Sequence, residues 1–220
     1  MGTAVSLDIP GCKAAKVFEA VFERLRQIDK KFSTYKSDSE VSRFARGLLT
    51  EAKLSAEVKQ IVGACRQAEQ WTDGYFSAWA GGDFQPSGYV KGWAIAEAGK
   101  VIEKQGHKTY CLGIGGDILA RSAGDKVWNI GIQDPKDKSK ILNKLSISSG
   151  AVATSGNYER GAHIINPKTG QPANELLSVT VNGPDIIKAD ILATAAFAAG
   201  EGAANLLKKF PDYKSLIISK

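Results

Sequence analysis

Cysteine is scarce in this sequence, and the three present, Cys12, Cys65 and Cys111, form no CxxC pair. An odd number without paired spacing gives neither a disulfide framework nor a zinc ribbon, and is simplest in a reducing compartment. Histidine is scarcer still, with only His107 and His163. No HExxH pair, no Walker lysine loop and no GxSxG elbow occurs, which excludes the zincin, P-loop and serine-hydrolase signatures. No run reaches the roughly 18 apolar residues that a membrane span needs. The start, Met1-Gly2-Thr3-Ala4-Val5, has no basic stretch and no long apolar stretch. A secretion signal is therefore not expected as the chain stands, and a cytoplasmic location is, unless a leader has been removed. No Pro/Ser-rich linker and no fixed-period repeat divides the sequence.

What is present is an ordinary globular composition. Hydrophobic residues make up 43% and charged residues 24% of 220 residues, enough to bury a sizeable core without staples. One domain over residues 1–220 is expected. The net charge is +6. It favours anionic ligands in general, but the basic residues are scattered, and no block of them marks a nucleic-acid binder.

Alternation of Val5, Leu7 and Ile9 predicts a strand. Phe18, Val21, Phe22, Leu25 and Ile28 recur at helical spacing between Cys12 and Lys31. Ser37 with Glu40 reads as a capping box before a short helix. Ser55 opens another helix, which stops at Thr72-Asp73-Gly74. Pro86-Ser87-Gly88 precedes a third, running to about Lys104. Beyond Gly106, strands are expected at 118–121, 127–133, 143–148, 150–154 and 177–182. Helices follow from about Lys188 to Ala199 and from Ala203 to Lys209, with a last strand near Leu216-Ile217-Ile218. Strands and helices come in blocks, so the expected class is α+β with a mostly antiparallel sheet.

Four features invite chemistry. Gly113-Ile114-Gly115-Gly116 follows a strand but lacks the third glycine and the following helix of a dinucleotide fingerprint, so a tight hairpin turn is the plainer reading. Asp190 and Thr194 lie four apart and share a helix face. Both are hard oxygen ligands suited to Mg²⁺. Equally, Asp190 would favour a helix N-terminus and Thr194 would bond back to a carbonyl. His163 precedes the turn Asn166-Pro167-Lys168-Thr169-Gly170, where a histidine is as readily structural as catalytic. Tyr35, in a polar stretch between helices, suits stacking on a planar ligand or capping of the core.

The order of short motifs resembles one family. Met1-Gly2-Thr3 is followed by Ser33-Thr34-Tyr35-Lys36-x-Asp38-Ser39-Glu40-x-Ser42-Arg43-Phe44 and by Pro86-Ser87-Gly88-x-Val90-Lys91-Gly92-Trp93-Ala94. Gly115-Gly116-Asp117-Ile118, Ala153-Thr154-Ser155-Gly156-x-Tyr158 and His163-Ile164-Ile165-x-Pro167-x-Thr169-Gly170 come next. Ser178-Val179-Thr180-Val181 and Ala189-Asp190-x-x-Ala193-Thr194 complete the series. Each is weak alone, but in this order they cover nearly the whole chain and resemble the ApbE family of FAD:protein FMN transferases, or flavin transferases. The resemblance implies a T-fold-like α+β domain with FAD in a cleft between two halves. It implies that a threonine hydroxyl of an acceptor protein takes FMN while AMP leaves. It also implies Mg²⁺ on the pyrophosphate, replaceable by Mn²⁺, held by Asp190, Thr194 and the carbonyl of Val90.

By the same resemblance, Tyr35 packs on the isoalloxazine, and Met1 and Tyr75-Phe76-Ser77 contact the flavin. Ser87, Lys91, Trp93 and Ile165 lie near the ligand, and Asp117 lies near the nucleotide. His163 acts in or beside catalysis. Three positions depart from the family pattern: Ser77, Gln85 and Asn166 stand where aspartate is usual. A Mg²⁺-dependent FAD pyrophosphatase and a flavin-binding module without turnover stay open as alternatives.

Overall fold

The computed structural model describes residues 3–157, 161 and 163–220. Its first strand, β1 (Val5–Asp8), leads into α1 (Ala15–Phe32). Of the predicted stripe it buries Val21, Leu25 and Ile28, joined by Val17 and Phe32, while Phe18 is half-buried and Phe22 exposed. The short α2 (Glu40–Ala45) is capped by Ser39, whose hydroxyl accepts from the Ser42 amide. That corrects the capping box expected from Ser37. Glu40 instead reaches forward and accepts from the amide and hydroxyl of Ser55, tying α2 to the start of α3 (Ala56–Trp71).

The helix α4 (Ser87–Lys104) is followed by the β2–β3 hairpin (Tyr110–Ile114, Asp117–Arg121). Gly115 and Gly116 both take positive φ, +58° and +90°. Two such residues make the tight turn that fits strand twist, and no helix follows, so the dinucleotide reading ends here. β4 (Trp128–Gln133) and β5 (Ile141–Ile147) form a separate hairpin. Trp128, Ile130 and Ile132 face inward and Asn129 and Gly131 outward. β6 (Gly150–Gly156) returns to the main sheet, and the two-residue strands β7 (Ile165–Asn166) and β8 (Gln171–Pro172) close a small turn. β9 (Leu176–Gly183), α5 (Ile186–Ala199), α6 (Ala203–Leu207) and β10 (Lys214–Ser219) complete the chain. α5 begins two residues before the predicted Lys188, because Asp185 caps it by accepting from the Lys188 amide.

Among the described residues the main sheet has six strands in the order β1-β2-β3-β6-β9-β10, every neighbouring pair antiparallel. The expected α+β class is what is found. α4 and α5 lie on one face of this sheet, and α1 packs on α4. Ala151, Ala153 and Leu119 belong to the core on the helical side. Alternation along β3 and β6 therefore turns Asp117 and Ser155 toward the same helices. No described helix is long and apolar enough to cross a membrane. His107 is half-buried, with Nε2 3.8 Å from Cys12 Sγ.

Candidate active site

The site is built where α4 and α5 approach each other over the ends of β3 and β6. The approach depends on glycine. A methyl on Gly92 would lie 2.9 Å from the Ile186 carbonyl oxygen and 3.0 Å from Asp190 Cβ; one on Gly88 would lie 3.5 Å from Thr194 Oγ1 and 3.2 Å from Phe76 Cε2. The Gly88-x₃-Gly92 spacing puts both bare positions on one helix face, and Asp190 and Thr194 come up against them. Gly92→Ala should therefore force the helices apart. An overpacking cost of about 1–3 kcal/mol is expected, seen as a lower midpoint in thermal or urea denaturation, while Gly63→Ala on α3, where nothing lies within 4 Å, should not lower it.

Three charged side chains meet in this gap. Lys91 Nζ lies 2.7 Å from Asp117 Oδ2 and 3.4 Å from Asp190 Oδ1. Asp117 and Asp190 retain 0% and 1% of their side-chain surface, against 24% for Lys91. The other carboxylate oxygens are held by backbone: Asp117 Oδ1 accepts from the Thr154 amide at 3.0 Å, and Asp190 Oδ2 from the Gly92 amide at 2.8 Å. Asp117 Oδ2 has the lysine as an ion-pair neighbour but no hydrogen bond of proper angle. Thr194 Oγ1 is 3.2 Å from Ser155 Oγ, so its hydroxyl is turned toward the sheet. Asp190 is not the cap of α5, a place that Asp185 takes.

Two carboxylates facing one ammonium leave an excess negative charge in a dry place. Burial pushes the Asp190 carboxyl well above the usual carboxylate range. Lys91 and the Gly92 amide oppose that shift, and Asp117 adds to it. Asp117 is raised for the same first reason, against the pull of Lys91 and the Thr154 amide. Burial disfavours the Lys91 charge, but the two carboxylates outweigh it and its pKa is raised.

The donor set around Asp190 is all oxygen: its own carboxylate and the hydroxyls of Thr194 and Ser155. That chemistry fits a hard divalent cation. Among the described residues no three His, Cys, Asp or Glu side chains form a metal-binding group by themselves. A cation here would thus need hydroxyl, main-chain or substrate oxygens as well. The side chain of Val90 is buried, and the α4 residue that abuts Thr194 is Gly88.

The remaining predicted residues spread around the first turn of α4. Its N-terminus has no side-chain cap, and Ser87 there is exposed. Tyr35 is 90% exposed and lines a concavity of about 240 Å³ together with Thr34, Arg46, Phe84 and Gln85. Gln85 is three residues from Gly88, so the concavity lies within about 11 Å of the backbone that abuts Thr194. Tyr75 is half-buried, with Lys168 Nζ 3.9 Å from its ring centre. This holds the 166–170 turn, and Ile165 before it, beside the Tyr75 segment. Phe76 is buried and supports Gly88 instead of offering a surface. Ser77 Oγ accepts from the Trp79 amide and Asn166 Oδ1 from the Lys168 amide, so both departures from aspartate keep an acceptor oxygen.

Trp93 is placed elsewhere than expected. It lies two residues, or about 200°, around α4 from Lys91. There it is buried against α1, edge-on to Phe32 at 5.0 Å and under the Arg24 guanidinium at 5.4 Å. It is part of the α1–α4 interface. His163 is exposed, with Nδ1 2.8 Å from the Gly161 carbonyl oxygen. A carbonyl only accepts, so in this contact Nδ1 is the donor. Met1 and Tyr158 lie outside the described residues.

Sequence reasoning missed Ser155, Lys168 and the two α4 glycines. The Gly88-x₃-Gly92 spacing was the available signal for the glycines; nothing local marks the other two.

Known proteins place this architecture. The ApbE family model matches residues 1–82 and 81–217. The FAD:protein FMN transferase of Haemophilus influenzae is 26% identical over 86% of this chain and 74% of its own length. The protein of the same name from Vibrio cholerae is 26% identical over 91% and 80%. The structure of the flavin transferase ApbE from Vibrio cholerae superimposes with a TM-score of 0.83 at 23% identity, covering 100% of this chain and 91% of that one. With motif order, fold and family model in agreement over nearly all its length, the chain belongs to the ApbE family.

Proposed function

We propose that this protein transfers FMN from FAD to a threonine hydroxyl of an acceptor protein, releasing AMP, with Mg²⁺ as the required cation. The observation that carries the reading is the buried Asp117–Lys91–Asp190 cluster with Thr194, set beside the uncapped N-terminus of α4. The name shared by the Haemophilus and Vibrio relatives supports it. An uncapped helix start presents free amides and positive dipole to phosphate oxygens. The oxygen donors of Asp190 and Thr194, with a main-chain carbonyl of the α4 turn (Val90 by family resemblance), would hold Mg²⁺. When bound there, the cation neutralises charge developing on the pyrophosphate.

The reaction is an in-line phosphoryl transfer, in which positioning and charge do most of the work. The acceptor oxygen bonds to the FMN phosphorus, and the bond from that phosphorus to the bridging oxygen breaks. The bridging oxygen leaves with AMP. His163, whose Nδ1 donates to the Gly161 carbonyl, is the residue assigned to take the hydroxyl proton. The Tyr35 ring, exposed beside Gln85, offers an aromatic face near the α4 start.

Incubation with FAD, Mg²⁺ and a threonine-bearing acceptor tests this. AMP with a flavin-labelled acceptor is expected. AMP with free FMN would make water the acceptor and the protein a pyrophosphatase; neither product would make it a binder. Mn²⁺ should replace Mg²⁺ and EDTA should stop AMP release. Tyr35→Ala should weaken FAD affinity by about 1–2 kcal/mol, the scale of an aromatic contact, and unchanged affinity in a fluorescence titration would remove the stacking role.

A further inference from the structure

Lys91 lies against one of the groups assigned to the divalent cation. Its ammonium bridges Asp117 Oδ2 and Asp190 Oδ1, and Asp190 is the acid assigned above to the cation. The three side chains differ in freedom. Each acid is fully buried and anchored by a backbone amide, of Thr154 or Gly92. Lysine has a long flexible stem and keeps 24% of its side-chain surface. It can move; the acids cannot. Its two contacts also differ: 2.7 Å to Asp117 and 3.4 Å to Asp190. The cluster holds two negative charges against one positive, so a second cation has a charge to meet.

We propose that Lys91 is an internal counter-ion that shields the cation site of the ligand-free protein, and that Asp117 is the positioning residue that retains Lys91 when a divalent cation takes its place on Asp190. Like charges cannot share Asp190 closely in a dry site, so the ammonium must give way. Asp117 offers it a ready partner, whose Oδ2 has no other one. The exchange keeps a cation beside each acid once the divalent ion is bound. It makes cation affinity depend on where Lys91 goes. The inference rests on the metal reading above, and extends it to two residues assigned no role toward the metal.

The test is Mn²⁺ binding to the whole protein without FAD, measured from the loss of the free-ion signal in electron paramagnetic resonance. Lys91→Met removes the competitor and should tighten Mn²⁺ by about tenfold or more. Asp117→Asn removes the parking place, forces Lys91 onto Asp190, and should weaken Mn²⁺ by about tenfold; both lie within ordinary coupling between sites. The double variant frees Asp190 again and should bind at least as tightly as the parent. A merely structural role for Asp117 would weaken binding in the single and double variants alike.

Equal or weaker binding by Lys91→Met overturns the proposal while leaving the metal reading intact. Absence of binding in all four proteins overturns both. Should Lys91→Met fail to fold for want of a counter-charge, the charge-balanced double variant decides. Affinity at or above the parent's supports the exchange, and a tenfold loss refutes it.

Discussion

Asp190→Ala should lower AMP release from FAD by about 10²–10³-fold at a Mg²⁺ concentration that saturates the parent. Charge stabilisation by a bound cation is worth several kcal/mol, and each 1.36 kcal/mol is a factor of ten. The variant should still fold. Lys91 keeps Asp117 at 2.7 Å, so no charge is left unpaired, and the loss to structure is the acceptor for the Gly92 amide. Asp190→Asn is the matched control, since it keeps shape and that acceptor but loses the charge. Thr194→Val loses one neutral oxygen and should lose less, about tenfold. Val90→Ala should leave the metal curve unchanged, because no side-chain atom of Val90 is assigned to the cation. The expected order of severity is Asp190, Thr194, Val90. AMP release measured against Mg²⁺ for each variant checks it, and a parent-like curve for Asp190→Ala would mean that the cation binds elsewhere.

How far this site could be read in the sequence depends on the range of each interaction. Asp190 and Thr194 are four residues apart, so helical periodicity alone puts them on one face. The hairpin at Gly115-Gly116 and the helix starts at Ser55 and Ser87 are likewise local chemistry. The Lys91 bridge is not local. It joins residue 91 to residues 117 and 190, and it exists only because Gly88 and Gly92 let α4 and α5 close up over the end of β3. No periodicity carries that information. Trp93 shows the reverse case: family resemblance puts it near the ligand, but a 200° step from Lys91 turns it to α1. The cap of α2 failed for a nearer reason. Ser37 and Ser39 both precede a helix start, and Glu40 is drawn away by Ser55.

The three missing aspartates bear on charge more than on shape. Ser77 and Asn166 make the turn hydrogen bonds that a carboxylate oxygen would make, and the Gln85 amide donates to the Ala78 carbonyl through its backbone alone. The surroundings of the α4 start therefore carry up to three fewer negative charges than the family pattern. That lowers repulsion toward a pyrophosphate. It also removes carboxylates that could have assisted His163, which makes the histidine's own geometry the deciding factor.

His163→Ala should lower turnover by about 10²–10⁴-fold, the range for losing a general acid or base. The reasoning starts from the Gly161 carbonyl. It accepts from both the His163 amide and ring Nδ1, each at 2.8 Å, and so fixes tautomer and ring orientation together. Nε2 lies on an exposed ring and is the nitrogen assigned to receive the proton of an incoming hydroxyl. The loss should therefore fall on kcat, with FAD affinity nearly unchanged, because the ring is needed only once the acceptor oxygen attacks. His163→Gln should not restore the rate, since an amide has no basic nitrogen, although it keeps polarity and length. Single-turnover AMP release at saturating FAD separates the possibilities. A parent-like rate for His163→Ala would leave the residue as a turn-forming histidine and would shift the search for the base to the acceptor protein itself.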